Sequence, residues 1–473
     1  MEYHHAVLAT LVTYKIILIG IGLWSNKRNH STQDYFIGSH TLGPWVAAVS
    51  SAASASSAWS LLGMSGAAYV MGISAAWIPP GIILGYVFNW FWLAPRLQRL
   101  TQEKKSVTLT ELLAQDTGKY KRAITLLCSF AIIFAFSFYI AAQFQAAGKT
   151  FASTFDMSMT TSVVLGTTII LLYTLLGGFW AVSITDTLQG LLMAATSIIL
   201  PVVALITLGG PLELWAKIHT AFSGDQLNTF GAHSGMIALG FVLGLMGIGL
   251  GNCGQPHVVN RLMAIKSQDA IKQGRIIAST WATVVYGGMV IVGWSAKVLM
   301  DPVADQEQAF FALTSHLFPP IIAGIIIAAV LSAIMSTADS QLLVSASALS
   351  YDVANLKNHA KGLFYSRLTV VLMCIVSTLI ALYAPEDIFT RVLFAWNALG
   401  AAFGPLVVVR VCSQSIKGEY ALMAIATGFF LTIGLSFLPS APGDYIERLL
   451  PFFLALAIAW LGRVPQQKTQ MNG

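Results

Sequence analysis

The chain has 473 residues, of which 56% are hydrophobic and only 10% charged, with a formal net charge of +6. Soluble domains of average usage carry roughly 25% charged residues, and the 26 basic and 20 acidic side chains here are too few to coat several such domains. A soluble enzyme and a nucleic-acid binder are therefore excluded. The mean hydropathy of +0.73 and a charge-free stretch of 55 residues over 41–95, long enough for two crossings at ~20 residues each, describe a polytopic membrane protein.

Apolar stretches near membrane length fall at about 5–25, 43–71, 75–95, 123–152, 158–177, 179–208, 235–262, 275–300, 318–351, 364–384, 388–412, 419–438 and 444–463. These are 13 candidate helices, read by length and hydropathy. The first lacks a basic leader and a small-residue cleavage site, so it reads as a retained span rather than a signal peptide. An odd number of crossings puts the termini on opposite sides. Placing the N-terminus outside leaves 20 of the 26 basic residues in cytoplasmic segments, as the positive-inside rule requires. The expected topology is thus N-out and C-in, in the plasma membrane of a bacterium (its inner membrane). The loops at 96–122 and 209–234 each have room for a short surface helix. No soluble domain is expected.

Two candidates are poor simple spans. The second holds a dense run of small and polar residues, Ser50 to Ser60, and the seventh reads Gly-Ile-Gly-Leu-Gly-Asn-Cys-Gly-Gln-Pro-His from Gly247 to His257. Such runs fit close helix packing or a plain kink. They also fit helices broken at membrane depth, which survive only where they line a cavity or are buried in protein. Position favours the second reading. With the first helix (5–25) set aside, the interrupted segments are the first of each five-helix half, 43–208 and 235–412, followed by two helices over 419–463. Interruptions at matching places in two halves point to an inverted-repeat transporter. An odd number of spans per half orients the halves oppositely.

Ionisable residues inside apolar segments are few. Asp186 and Asp339 stand out, and a buried charge costs at least ~2.5–3.5 kcal/mol. Each is expected to face an aqueous path or a cation, or else to be a neutral carboxyl fixing helix packing. Lys15, mid-span in the first helix, reads as snorkelling or peripheral. Ala333, Ser336, Thr337 and Ser340 share one helix face at i, i+3, i+4 and i+7. Two adjacent hydroxyls beside an interrupted helix suit a sodium ion, which prefers weak-field oxygens. The cysteines Cys128, Cys253, Cys374 and Cys412 lie far apart and read as packing residues. No phosphate-binding Gly-Lys-Ser/Thr loop is present, which argues against an ATP-driven pump. No charge ring or filter loop suggests a channel, and His257 has no catalytic companion at useful spacing.

At these residues the chain resembles the sodium/solute symporter family, closest to its bacterial sodium/proline branch. The resemblance runs through Asp34-Tyr35-Phe36-Ile37-Gly38, Leu42-Gly43-Pro44, Gly72-Ile73-Ser74, Gly177-Gly178-Phe179 and Thr185-Asp186-Thr187. Its most specific parts are Gly254-Gln255-Pro256-His257, Arg261-Leu262-Met263-Ala264 and the stretch from Ala333 to Leu343. It implies an all-α, LeuT-type core of two inverted five-helix repeats, with one helix before it and two after. It also implies a sodium site from the Ala53, Ser56 and Ala333 carbonyls and the Ser336 and Thr337 hydroxyls. Some relatives hold a second sodium where this chain has Asp186, Ser336, Asp339 and Ser340. The substrate cavity would be bordered by Trp59, Gly63, Tyr139, Gln143, Ile248, Asn252 and Pro256, with Ser57 and Gln255 at the breaks.

The chain also departs from the branch. Proline-transporting relatives have aromatic residues at Ile248 and Asn252, arginine at His40 and aspartate at Ala55. The implied function is a sodium-coupled symporter importing a small organic solute, an amino acid of the proline kind, by alternating access. Histidine, pantothenate or another carboxylate are the alternative solutes, a symporter-like solute sensor the alternative role, and proton coupling through Asp186 or Asp339 the alternative driving force. The partners implied are sodium, the solute and the lipid bilayer, with no nucleic acid and no obligate protein partner.

Overall fold

The computed structural model describes residues 42–176, 179–354, 361–384, 386–413 and 415–464, together with 5, 7–14, 16–17 and 20 of the first segment. Lys15, the Asp34–Gly38 motif, His40, Gly177 and Gly178 lie outside the described residues. The chain is helical because, in lipid, main-chain polar groups must be satisfied within their own segment.

In chain order the principal helices are α1 (Pro44–Ala58), α2 (Met64–Met71), α3 (Ile78–Val87), α4 (Lys121–Phe155), α5 (Met159–Leu176), α6 (Phe179–Leu208) and α7 (Gly235–Gly247). They continue as α8 (Pro256–Met263), α9 (Gln268–Met300), α10 (Pro320–Ser347), α11 (Lys361–Tyr383), α12 (Ile388–Ser413), α13 (Gly418–Ser436) and α14 (Tyr445–Leu461). Among the described residues, nine helical stretches are long and apolar enough to cross a membrane. One of them, Pro44–Lys104, is 61 residues long and folds back on itself around Gly72. There φ is +65°, and a Cβ would sit 2.2 Å from the Gln226 carbonyl oxygen, so only glycine fits the turn.

Local signals set the helix starts. Ser267 caps α9 through the Ala270 N–H at 3.2 Å, with Asp269 in the first turn. Proline opens α1, α8 and α10, where its missing N–H costs nothing. The long loops carry short helices at Ala94–Lys104, Leu109–Ala114 and Pro211–Ala221.

The core is built on α10 and α12. Their apolar windows are 83% and 89% buried within the protein, against 33% for α13, which presents most of its surface to lipid. α1 packs against α6, α9 and α10, so the first interrupted segment runs through the centre of the molecule.

Both expected interruptions are present. In the last turn of α1 the chain unwinds at Ser57 (φ 56°, ψ −176°), and it resumes through a π-helical turn, Trp59–Gly63, into α2. After α7 it tightens into a 3-10 turn over Ile248–Gly254, becomes extended at Gln255 (φ −78°, ψ 113°), and restarts as α8 at Pro256. The glycines there serve close packing as well. A Cβ on Gly249 would lie 1.9 Å from the carbonyl oxygen of Gly81 on α3.

Candidate functional site

The main chain freed by the second break finds specific partners. Trp396 Nε1 donates to the Ile248 carbonyl at 2.9 Å, and Asn89 Nδ2 donates to that of Asn252 at 3.1 Å. Gln255 Nε2 donates to the carbonyls of Gly251 (3.2 Å) and Trp396 (2.8 Å). At the first break, Gln143 Oε1 accepts the Ala58 N–H at 3.0 Å, and the Ser57 hydroxyl accepts that of Trp59 at 3.1 Å. Unwound backbone persists in an apolar interior only under such cover.

Just before the first break, oxygens converge from α1 and α10. Ser336 Oγ lies 3.2 Å from the Ala53 carbonyl oxygen and 3.4 Å from that of Ala333. Thr337 Oγ1 donates to the Ser54 carbonyl at 3.0 Å. Ser56 Oγ donates to Ala52 O at 2.8 Å and meets the Tyr286 hydroxyl of α9 at 3.3 Å. The Ser56 carbonyl accepts the Trp59 N–H, which leaves its second lone pair available. All these groups are neutral oxygen donors, buried from solvent. That is the donor chemistry of a hard monovalent cation. Among the described residues no group of three or more His, Cys, Asp and Glu side chains is placed to hold a metal ion. Of the five expected residues, Ala53, Ala333 and Ser336 are thus brought together, Thr337 bonds the neighbouring Ser54 carbonyl, and Ser56, further along α1, bonds Ala52 and Tyr286. Ser54 and Tyr286 join them, and sequence reasoning missed both.

Asp186 faces a cation, but the cation belongs to the protein. Arg261 Nη2 stands 2.5 Å from Asp186 Oδ2, with side chains 2% and 0% exposed. The same guanidinium donates to Ser340 Oγ (2.6 Å), Ser50 Oγ (2.9 Å) and the His257 carbonyl (2.8 Å). Ser50 in turn donates to Asp186 at 3.2 Å. Asp339 is held elsewhere, accepting a hydrogen bond from the Thr174 hydroxyl of α5. Of the second candidate set, Asp186 and Ser340 therefore meet through Arg261, while Asp339 binds α5. By sequence Arg261, at the very end of the apolar stretch 235–262, is one of the 20 basic residues assigned to cytoplasmic segments. Its place one turn after His257, on a helix that restarts from a break, was the signal that it lies inside.

A cavity of about 20 Å³ lies between the two breaks, room for about one water. Of the residues expected to border the substrate, Trp59, Tyr139, Ile248 and Asn252 line it. The others support the walls. Gln143 and Gln255 brace the breaks, Ser57 is the unwound residue 3.5 Å from the Tyr139 hydroxyl, Pro256 opens α8, and Gly63 packs on the Trp59 ring. Tyr86 of α3, Tyr286 of α9 and Trp396 of α12 also line the cavity. No local motif marked these three, because each arrives from a segment distant in sequence.

The cavity is covered on one side. The Trp59 ring stacks on Phe389 at 5.4 Å between centroids, and the Phe389 N–H donates to Glu307 Oε1 at 3.1 Å. Lys149 Nζ holds Glu307 and Asp305, each at 2.6 Å. Burial pushes the Glu307 carboxyl above its ordinary pKa, while Lys149 pulls it down. On the other side, the Arg261–Asp186 cluster lies between α8, α6 and α10.

Two broken helices flanking a small cavity, with a weak-field oxygen cluster at one break, define a membrane transporter of the LeuT fold type. Comparison with known proteins agrees. Residues 35–428 match the sodium:solute symporter family. The chain is 34% identical over 467 residues to the high-affinity proline transporter PutP of Bacillus subtilis, covering 95% of this chain and 96% of that one. It is 32% identical over 439 residues to a sodium/proline symporter of Staphylococcus aureus, covering 89% and 84%. A Na+-coupled sialic acid symporter, solved substrate-bound and outward-open, matches the fold with a TM-score of 0.80 at 16% identity, over 96% of this chain and 97% of that one. The chain belongs to the sodium:solute symporter family. It is a multi-pass protein of the bacterial plasma membrane that couples solute movement to sodium, and it is not an enzyme.

Proposed function

We propose that this chain imports an amino acid of the proline kind together with one sodium ion. The observation that carries the reading is the convergence of the Ala53 and Ala333 carbonyls with the Ser336 hydroxyl, within 3.4 Å, next to the break at Ser57. Sodium bridging the Ala53 and Ser56 carbonyls to Ala333, Ser336 and Thr337 fixes α1 against α10. That contact sets the Ser57 break in the form that accepts solute, so the two cargoes bind cooperatively. The solute's charged groups dock at the broken helix ends near Ser57 and Asn252, where the main-chain dipoles of the half-helices converge. Trp59, Tyr139 and Ile248 close around its apolar part, with Gly63, Gln143, Gln255 and Pro256 holding the walls.

Asp186, Asp339 and Ser340 form the coupling region beside this site. Arg261 already supplies a positive charge to Asp186 and Ser340, which supports one sodium per cycle rather than two. One charge moving through 100 mV releases ~2.3 kcal/mol, so a single sodium sustains roughly a 50-fold solute gradient from voltage alone.

Thirteen spans with N-out and C-in topology follow if the stretch Pro44–Lys104 is two crossings, the apolar helix Met159–Leu175 and α14 each cross, and the first segment (5–25) is a span. The repeats are then 43–208 and 235–412, with 419–463 appended. Radiolabelled proline uptake into proteoliposomes tests the reading. Uptake should follow an inward sodium gradient and vanish when choline replaces sodium. Equal uptake in the two salts, or uptake following only a proton gradient, contradicts it.

A further inference from the structure

The wall of the cavity departs from a plain hydrocarbon pocket at one side chain. Asn252 is 3% exposed and lines the cavity, and its Oδ1 has no hydrogen-bond partner among the described residues. Its main-chain carbonyl is already taken by Asn89, so the side-chain amide is not needed to hold the break. In the same cavity lining, Trp59 Nε1 is also buried without a partner among the described residues. A buried acceptor left unpaired is destabilising, and a cavity holding both an acceptor and a donor suits a group that is both. A hydroxyl meets that requirement, since it donates one hydrogen and accepts at two lone pairs. An amide offers an acceptor and donors, so either orientation of Asn252 serves.

The other walls are Tyr86, Tyr139, Tyr286 and Trp396 with aliphatic side chains, which suit the apolar body of a compact ring once the cavity, with room for about one water here, widens to admit it. The solute's amino and carboxyl groups are directed to the helix breaks, which leaves the Asn252 amide for the ring. We propose that the preferred solute is a ring-hydroxylated proline, its hydroxyl donating to Asn252 Oδ1, and that Asn252 sets this preference. This rests on the reading of the chain as a sodium-driven importer of proline-like amino acids, and it names the solute within that class. A site that pairs a substrate hydroxyl discriminates against the analogue lacking it, because its own polar group is then left unpaired.

The test is sodium-dependent uptake of labelled L-proline into proteoliposomes, competed with unlabelled L-proline or with trans-4-hydroxy-L-proline. The wild type should be inhibited by hydroxyproline at about tenfold lower concentration than by proline, the effect of one buried hydrogen bond. Asn252→Leu should bring the two inhibition curves together or reverse them. Labelled hydroxyproline should itself accumulate in wild-type vesicles. Sodium-driven proline uptake that hydroxyproline inhibits no better than proline overturns the inference and leaves the symport reading standing. An inhibition ratio unaltered by Asn252→Leu overturns the role given to that residue. Absence of sodium-dependent uptake of either compound overturns both readings.

Discussion

Arg261 and Asp186 bury opposite charges 2.5 Å apart, and removing one would strand the other in a low-dielectric interior. Arg261→Met should destabilise the folded protein by about 3–5 kcal/mol, seen as a lower thermal midpoint in detergent. Adding Asp186→Asn to that variant should recover part of the loss. An unchanged midpoint in Arg261→Met would show that the pair does not hold α8 to α6. Ser336 acts differently, because its hydroxyl is a candidate ligand within 3.2 Å of the Ala53 carbonyl. Ser336→Ala should raise the sodium concentration for half-maximal uptake by roughly 10–150-fold, the range for losing one hydrogen-bonding group to a charge, with little change in thermal stability without sodium. At this scale the hydroxyls were legible in sequence, because helical spacing alone puts Ser336 and Thr337 on one face. Arg261 was not legible. A basic residue near the end of an apolar segment looks like any loop charge until the restarted helix α8 carries it inward.

The two breaks were legible because Gly, Pro and small polar residues interrupt segments that would otherwise be continuous apolar helices. Their depth and partners were not, since Trp396, Asn89 and Gln143 reach them from other helices. Nor could composition choose between close packing and unwinding, and Gly249 does both. It sits in the 3-10 turn while its Cα faces the Gly81 carbonyl. Gly249→Ala should force α3 away from the break and cost about 1–3 kcal/mol as overpacking. Uptake should fall more than stability alone explains, because the cavity wall moves with the turn. Normal uptake and a wild-type thermal midpoint would mean that the α3 contact yields easily. The stretch at about 75–95 is built from a 3-10 turn at Gly72–Trp77, then α3, then a π-helical turn at Phe88–Leu93 leading into Ala94–Lys104. Each departure from the α-helix shifts the register of the faces, which hydropathy averaged over a window does not register.

At the scale of the whole molecule, hydropathy and charge location were the most informative signals. They made the chain a membrane protein before any motif was considered, whereas the cavity walls depended on contacts between α1, α3, α4, α9 and α12. The proposed N-out, C-in topology has its own check. In a variant without native cysteines, a cysteine introduced in the 209–234 loop should react with a membrane-impermeant thiol reagent added to intact cells. One in the 96–122 loop should react only after lysis. The opposite pattern would invert the proposed repeats. Electrogenic sodium coupling is the central claim, and the reversal potential of the solute-dependent current across planar bilayers containing the purified protein tests it most directly. With one sodium per neutral amino acid, a tenfold rise in sodium on one side should shift that potential by about 59 mV, the single-charge value, and removing sodium from both sides should abolish the current. A solute-dependent current that persists without sodium, or a potential that ignores the sodium gradient, would contradict the account.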